Sequence, residues 1–135
     1  MNLFVDTSVW SLALRREGPF SAPEVSRLRE ALGSGEPVFT TGLVLQELLQ
    51  GFRGPRQREA IVGRFSSLPT IVPDRGDHIE AARIRNLCRR RGIQLGTIDA
   101  LLAQLVARHE LTMLTTDRDF TYASKHVEIR VWNGD

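Results

Sequence analysis

Short, uniformly apolar runs alternate with longer amphipathic segments along this chain. That alternation points to a parallel sheet flanked by helices. Residues 2–6, Val38-Phe39-Thr40 and 111–116 have the length and composition of buried strands. Pro69-Thr70-Ile71-Val72-Pro73 reads as a brief edge strand bounded by prolines, and 127–132 as a last strand. The order is one strand, two helices, a strand, two helices, a strand, two helices, and then two strands separated by a short turn helix. Right-handed crossovers lay such helices over both faces of the sheet. The fold expected is a three-layer α/β/α sandwich with a central, mostly parallel sheet. With 135 residues, it forms a single domain over 1–135.

The helices follow from spacing and punctuation. The first runs from a cap at Thr7 or Ser8 to about Arg16, with Val9, Leu12 and Ala13 inward, and Gly18-Pro19 stops it. Pro23 opens the second, which carries Val25, Leu28, Ala31 and Leu32. Thr41 caps a third through about Gln50, and another follows over 56–66. Residues 42–67 fit either the helical layer over the sheet or a helical arm, whose outward apolar residues would then meet a partner. Helix 76–91 carries Ile79, Ala82, Ile84 and Leu87 and ends at Gly92. Helix 97–109, capped by Thr97, carries Ile98, Leu101, Leu102, Leu105 and Val106.

Four acidic residues stand where strands end or helices begin. Asp6 closes the first strand and Asp117 the fourth; Asp99 lies just inside a helix, and Glu47 in the helix after the second strand. In an open parallel sheet, carboxyl ends of strands and starts of the following helices share one edge, where such folds put their sites. Carboxylates gathered there repel one another unless a cation neutralises them, and Mg²⁺ or Mn²⁺ favours such an oxygen-rich setting. Thr7, Ser8, Thr115 and Thr116 add hydroxyls that orient a carboxylate or a water, and Asp119 is a candidate fifth acid. Each acid also admits a local role. Asp6 suits a helix cap, Glu47 a solvated helix position, Asp99 the first-turn dipole, and Asp117 an Asx turn.

The remaining features narrow the chemistry. Lys125 is the one lysine among 18 basic residues, the rest being arginine. Arginine forks suit phosphate oxygens and stack on bases, so Arg85, Arg89 and Arg90 are candidates to hold the phosphates of a nucleic acid. A single cysteine, Cys88, cannot form an internal disulfide, and His78, His109 and His126 are too dispersed for a zinc site. No apolar stretch approaches the roughly 20 residues that span a bilayer, and no leader pattern opens the chain; a cytoplasmic protein with no membrane role is expected. Trp10 is expected to pack on the sheet, Trp132 to anchor a strand end, and Phe120 to plug the core under the Asp117 turn.

These residues resemble the PIN-domain ribonucleases, and more closely the VapC-like toxins of type II toxin–antitoxin modules. The likeness rests on Val5-Asp6-Thr7-Ser8-Val9-Trp10, Glu47, Thr97-Ile98-Asp99-Ala100 and Thr115-Thr116-Asp117-Arg118-Asp119-Phe120. It implies a Mg²⁺- or Mn²⁺-dependent endoribonuclease cleaving RNA, a homodimer, and inhibition by a cognate VapB-type antitoxin. It also implies that Asp6, Glu47, Asp99 and Asp117 are the catalytic, metal-holding tetrad. Other classes fit less well. A phosphatase of the haloacid dehalogenase kind wants an aspartate where Ser8 stands, and a receiver domain wants a lysine where none lies. A catalytically inactive scaffold with the same fold is the remaining alternative, and divalent-metal binding separates it from an enzyme.

Overall fold

The computed structural model describes residues 1–15 and 22–134. Its sheet has five strands: β1 (Leu3–Val5), β2 (Val38–Thr41), β3 (Thr70–Ile71), β4 (Thr112–Leu114) and β5 (Arg130–Val131). They lie in the order β3-β2-β1-β4-β5, and every pairing is parallel. The first strand is thus the central one. Phe4 pairs with Phe39 on one side and Met113 on the other. All three β1 residues are fully buried, because helices cover both faces and leave no side for water. The chain works outward from β1 to β3, then returns to add β4 on the other side of β1. That reversal creates a crevice at the carboxyl ends of β1 and β4, the usual ligand position in doubly wound sheets.

Seven helices occur among the described residues: α1 (Thr7–Leu14), α2 (Pro23–Ser34), α3 (Gly42–Gly51), α4 (Pro55–Phe65), α5 (Arg75–Arg90), α6 (Thr97–Arg108) and α7 (Arg118–Ala123). The α/β architecture is the one expected, with strands shorter than their apolar runs. The expected stop at Gly18-Pro19, and the helix end at Arg16, lie outside the described residues. Thr41 caps α3 by accepting from the Val44 N–H at 3.3 Å, as its position suggested. Two other caps differ. Thr7 and Ser8 lie inside α1, and Asp6 is its cap. Thr97 is the first residue of α6, and Gly96 takes the cap position without a side-chain bond.

The expected inner faces are also corrected in part. On α5 the buried residues are Asp77, Ala81, Ile84 and Cys88, while Ile79 is 62% exposed. A reciprocal capping box sets this rotation. The Asp77 N–H donates to Asp74 Oδ1, and the Asp74 N–H to Asp77 Oδ2, both at 2.9 Å. Asp77 then faces α6, where Arg108 Nη1 lies 2.6 Å from its Oδ2 and Gln104 Nε2 3.2 Å from its Oδ1. Leu12 and Ile98 are likewise exposed, whereas Val9 and Trp10 of α1 are buried. Trp10 packs its ring on Phe65 of α4, centroids 4.9 Å apart, so α4 closes over α1. Phe120 is fully buried beneath the turn that carries Asp117.

Candidate active site

β1 delivers Asp6 into the crevice, and its own hydroxyl neighbours hold it there. The Asp6 N–H donates to the Leu114 carbonyl at 2.9 Å, continuing the β1–β4 ladder one step past the strands. Its Oδ1 accepts from the Thr7 N–H at 2.8 Å. Its Oδ2 accepts from the Ser8 hydroxyl at 2.9 Å and from the Thr115 hydroxyl at 2.8 Å. Ser8 Oγ and Thr115 Oγ1 in turn accept from the Thr116 and Asp117 N–H groups, at 3.1 and 3.0 Å. A carboxylate with three donors has one orientation. The sequence placed Thr115 and Thr116 together as supporting hydroxyls. The structure separates them: Thr115 holds Asp6, whereas Thr116 is exposed and contributes only its main-chain N–H.

The other three acids arrive from separate elements. Glu47 stands on the exposed side of α3, one turn from buried Val44, and its Oε1 accepts from the Thr7 hydroxyl at 3.0 Å. Thr7 thereby links Glu47 to the Asp6 turn across 40 residues. Asp117 caps α7, its Oδ1 accepting from the Asp119 N–H at 2.9 Å. Asp99 lies in the first turn of α6, close to the Gly96 backbone, where a Cβ would come within 3.9 Å of Asp99 Oδ2.

The acids lie within electrostatic reach of Asp99. Burial, together with the charges of Asp6, Asp117, Glu47 and Asp119, pushes the Asp99 carboxyl up to about 6. Like charges at close range disfavour each other's ionised forms, and every acid of the expected set contributes to that field. Asp119 belongs to the field, and its bond within the structure is the N–H donated to Asp117. Among the described residues, no three Asp, Glu, His or Cys side chains are drawn together tightly enough to grip one ion as they stand. Their oxygens are nonetheless the donor set of a hard divalent cation, and Asp99 carries a repulsion that such a cation would relieve.

Two of the three candidate RNA-binding arginines meet beside this site. Arg85 and Arg89 line a cleft of about 310 Å³ that ends at Gly96. Arg85 is fixed there by an Nε bond to the Leu95 carbonyl at 3.1 Å. Arg90 is exposed at the end of α5 and lies outside that cleft. Elsewhere, α1, α4 and Phe52 border a groove of about 850 Å³ walled by Leu14, Phe52, Ala60 and Ile61, with Arg15 and Arg56 on its lining.

Comparison with known structures agrees with this fold. The fold is similar to that of VapBC2 from Rickettsia felis bound to a promoter DNA fragment, at a TM-score of 0.76 and 19% identity, covering 100% of both chains. It is similar to DNA-bound VapBC from Salmonella typhimurium, at 0.74 and 21%, covering 100% of this chain and 99% of that one. It is also similar to the sarcin–ricin-loop-cleaving toxin VapC20 of Mycobacterium tuberculosis, at 0.69 and 22%, covering 96% and 99%. The sequence matches no curated protein. The PIN domain family model covers residues 3–125, from the first residue of the central strand to just beyond the last helix, and the chain therefore belongs to the PIN-domain family.

Proposed function

We propose that this chain is a Mg²⁺- or Mn²⁺-dependent endoribonuclease, the toxin of a toxin–antitoxin module, acting in the cytoplasm on a single-stranded loop of a structured RNA. The observation that carries this reading is the common field of Asp6, Glu47, Asp99, Asp117 and Asp119, which pushes the Asp99 carboxyl up to about 6. Membership of the PIN-domain family supports a nuclease, and the likeness to VapBC assemblies supports a toxin. Asp6, Asp99, Asp117 and Glu47 would hold the cation. When bound, it supplies a nucleophile at neutral pH and charge compensation for the phosphate oxygens.

The chain's own residues do the rest. Thr7, Ser8 and Thr115 keep Asp6 and Glu47 from swinging away as the site fills. Arg85 and Arg89 offer guanidinium forks to phosphates flanking the cut, beside Asp99 and across α6's first turn. An RNA loop suits this open crevice, since its unpaired bases splay out while its backbone passes the acids.

The groove walled by Leu14, Phe52, Ala60 and Ile61 fits the apolar segment of a VapB-type antitoxin. A segment lying there would send an arginine to the acids and occupy the cation's place. Ile79 on α5 and Ile98 on α6, 62% and 41% exposed in one copy, support a homodimer.

The test is cleavage by purified protein with RNA 5′ ends mapped after induction in a bacterial host. Wild type cleaves in Mg²⁺ or Mn²⁺ and stops in excess EDTA, while Asp6→Asn and Asp99→Asn fold but do not cleave. Undiminished cleavage by both variants, or by wild type in EDTA, rejects the assignment.

A further inference from the structure

Asp117 and Thr115 belong to the acid site and also line an adjoining cavity of about 580 Å³, bordered by the start of α2, the turn after β4, α7 and the C-terminal segment. This volume falls in the range of small-ligand sites, roughly 300–1,000 Å³. Its walls mix apolar and hydroxyl groups: Pro23, Val131 and the Trp132 indole on the one hand, Thr121 and Ser124 on the other. The charged residues on the lining are Glu24, Asp117 and Arg118, a balance that disfavours a phosphate inside and suits an uncharged planar group. Trp132 lines the cavity, although its Nε1, like that of Trp10, is shut off from the open volume and has no hydrogen-bond partner in the fold. Ser124 Oγ already donates to the Thr121 carbonyl at 2.6 Å, leaving it an acceptor, and the Thr121 hydroxyl is exposed.

We propose that this cavity seats an unpaired nucleobase of the RNA strand, adjacent to the phosphate presented to the acids, with Trp132 as its aromatic wall and Thr121 and Ser124 reading the base edge. The proposal rests on the nuclease reading, since it needs a strand lying across Asp117. A base turned out of the strand at that point meets a ring to stack on and hydroxyls to bond. Aromatic stacking of this kind tolerates any base, and the hydroxyls supply the preference. The site would therefore set which nucleotide flanks the cut, separately from the acids that make it.

Two measurements decide it, one of them independent of catalysis. In metal-free protein labelled with ¹⁵N, the Trp132 indole N–H resonance is followed while each of the four nucleoside monophosphates, and inorganic phosphate as control, is added. Shifts at Trp132 but not at Trp10, differing between bases and absent with phosphate alone, support the proposal. No shift at Trp132, or the same shift with phosphate, overturns it whether or not the protein cleaves RNA. Cleavage of a randomised RNA is then mapped for Trp132→Phe, Trp132→Ala and the exposed wall variant Thr121→Phe, which fills the cavity. Thr121→Phe and Trp132→Ala should flatten the base preference beside the cut and raise KM about tenfold or more, with Trp132→Phe between them and wild type. A cleavage profile and KM identical to wild type in folded Thr121→Phe overturns the proposal even if Trp132→Ala fails to fold. An unchanged base preference with cleavage retained marks the failure of this proposal alone, whereas in a failure of the nuclease reading no variant, wild type included, cuts at all.

Discussion

The Thr115 hydroxyl donates to Asp6 Oδ2 at 2.8 Å, joining two residues 109 positions apart and tying the end of β4 to the end of β1 where the crevice opens. The same hydroxyl oxygen accepts from the Asp117 N–H at 3.0 Å, so one threonine positions two of the four acids. Replacing it with valine keeps the shape and removes both bonds. Thr115→Val should cost about 1 kcal/mol of stability and weaken Mn²⁺ binding by about tenfold. Thr116→Val, whose hydroxyl makes no bond among the described residues, should leave Mn²⁺ affinity unchanged. Calorimetric titration of both variants checks this, and equal affinities for the two would show that Thr115 does not position the site.

Buried Asp77 makes a second, purely structural demand. Burial alone raises its carboxyl, but the Asp74 N–H, the Gln104 amide and the Arg108 guanidinium together hold it below the usual carboxylate range. Arg108→Met leaves a buried carboxylate with fewer partners and should cost about 2 kcal/mol, the half-exposed arginine being discounted for solvent. Because the folded carboxyl lies below its unfolded value, its contribution is present above about pH 4 and lost as pH falls through the folded value. Urea unfolding at pH 7 and pH 3 should show a large difference between wild type and Arg108→Met at pH 7 and a smaller one at pH 3. A gap that does not shrink in acid would assign the loss to packing.

Much of this was legible in the chain because period and punctuation are local. The run Leu3-Phe4-Val5 could only be a buried strand, and Thr41 before an apolar stripe could only be a cap. The candidate acids were legible because Asp6 and Asp117 follow strands, Asp99 lies in a helix's first turn and Glu47 in the helix after β2, elements that the topology brings toward one edge. What escaped were rotations set by distant partners. The partner that Asp77 meets once turned inward, Arg108 on the next helix, is not announced by the residues around Ile79. The distinction between Thr115 and Thr116 depends on which side of the β4 exit faces Asp6, and that is fixed by the β1–β4 register. Asp74-x-x-Asp77 was a local signal, a capping box readable in the sequence, that could have set the α5 face correctly.

Glycine positions test the backbone independently of the site. Gly63 lies inside α4, where an added Cβ meets nothing within 4 Å. Gly63→Ala should therefore stabilise the protein by about 0.5–1 kcal/mol through helix propensity. Gly92, after α5, has φ +77°, which an L side chain adopts only with strain. Gly92→Ala should cost about 1 kcal/mol. Thermal unfolding of the two variants should move in opposite directions; a shared direction would mean that one of the two backbone conformations differs from that described.

The acid site itself should cost stability when no cation is present. Burial and neighbouring charge put the folded Asp99 carboxyl at about 6, against an ordinary value of 3.8. Above pH 6 both states are ionised and the folded state bears the repulsion in full. Between pH 6 and about 4 the folded state takes up the proton first, so wild type gains stability as pH falls through that window, and below it the two states match again. Asn at position 99 never ionises. In EDTA at pH 7.5, Asp99→Asn should thus be more stable than wild type by about 1–2 kcal/mol, after discounting for its partial exposure, with the gain vanishing near pH 4. Added Mn²⁺ should reverse the order, because it stabilises only the protein that binds it. Wild type and Asp99→Asn unfolding together at every pH in EDTA would show that the five carboxyls do not share a field, and the proposed cation site would fall with it.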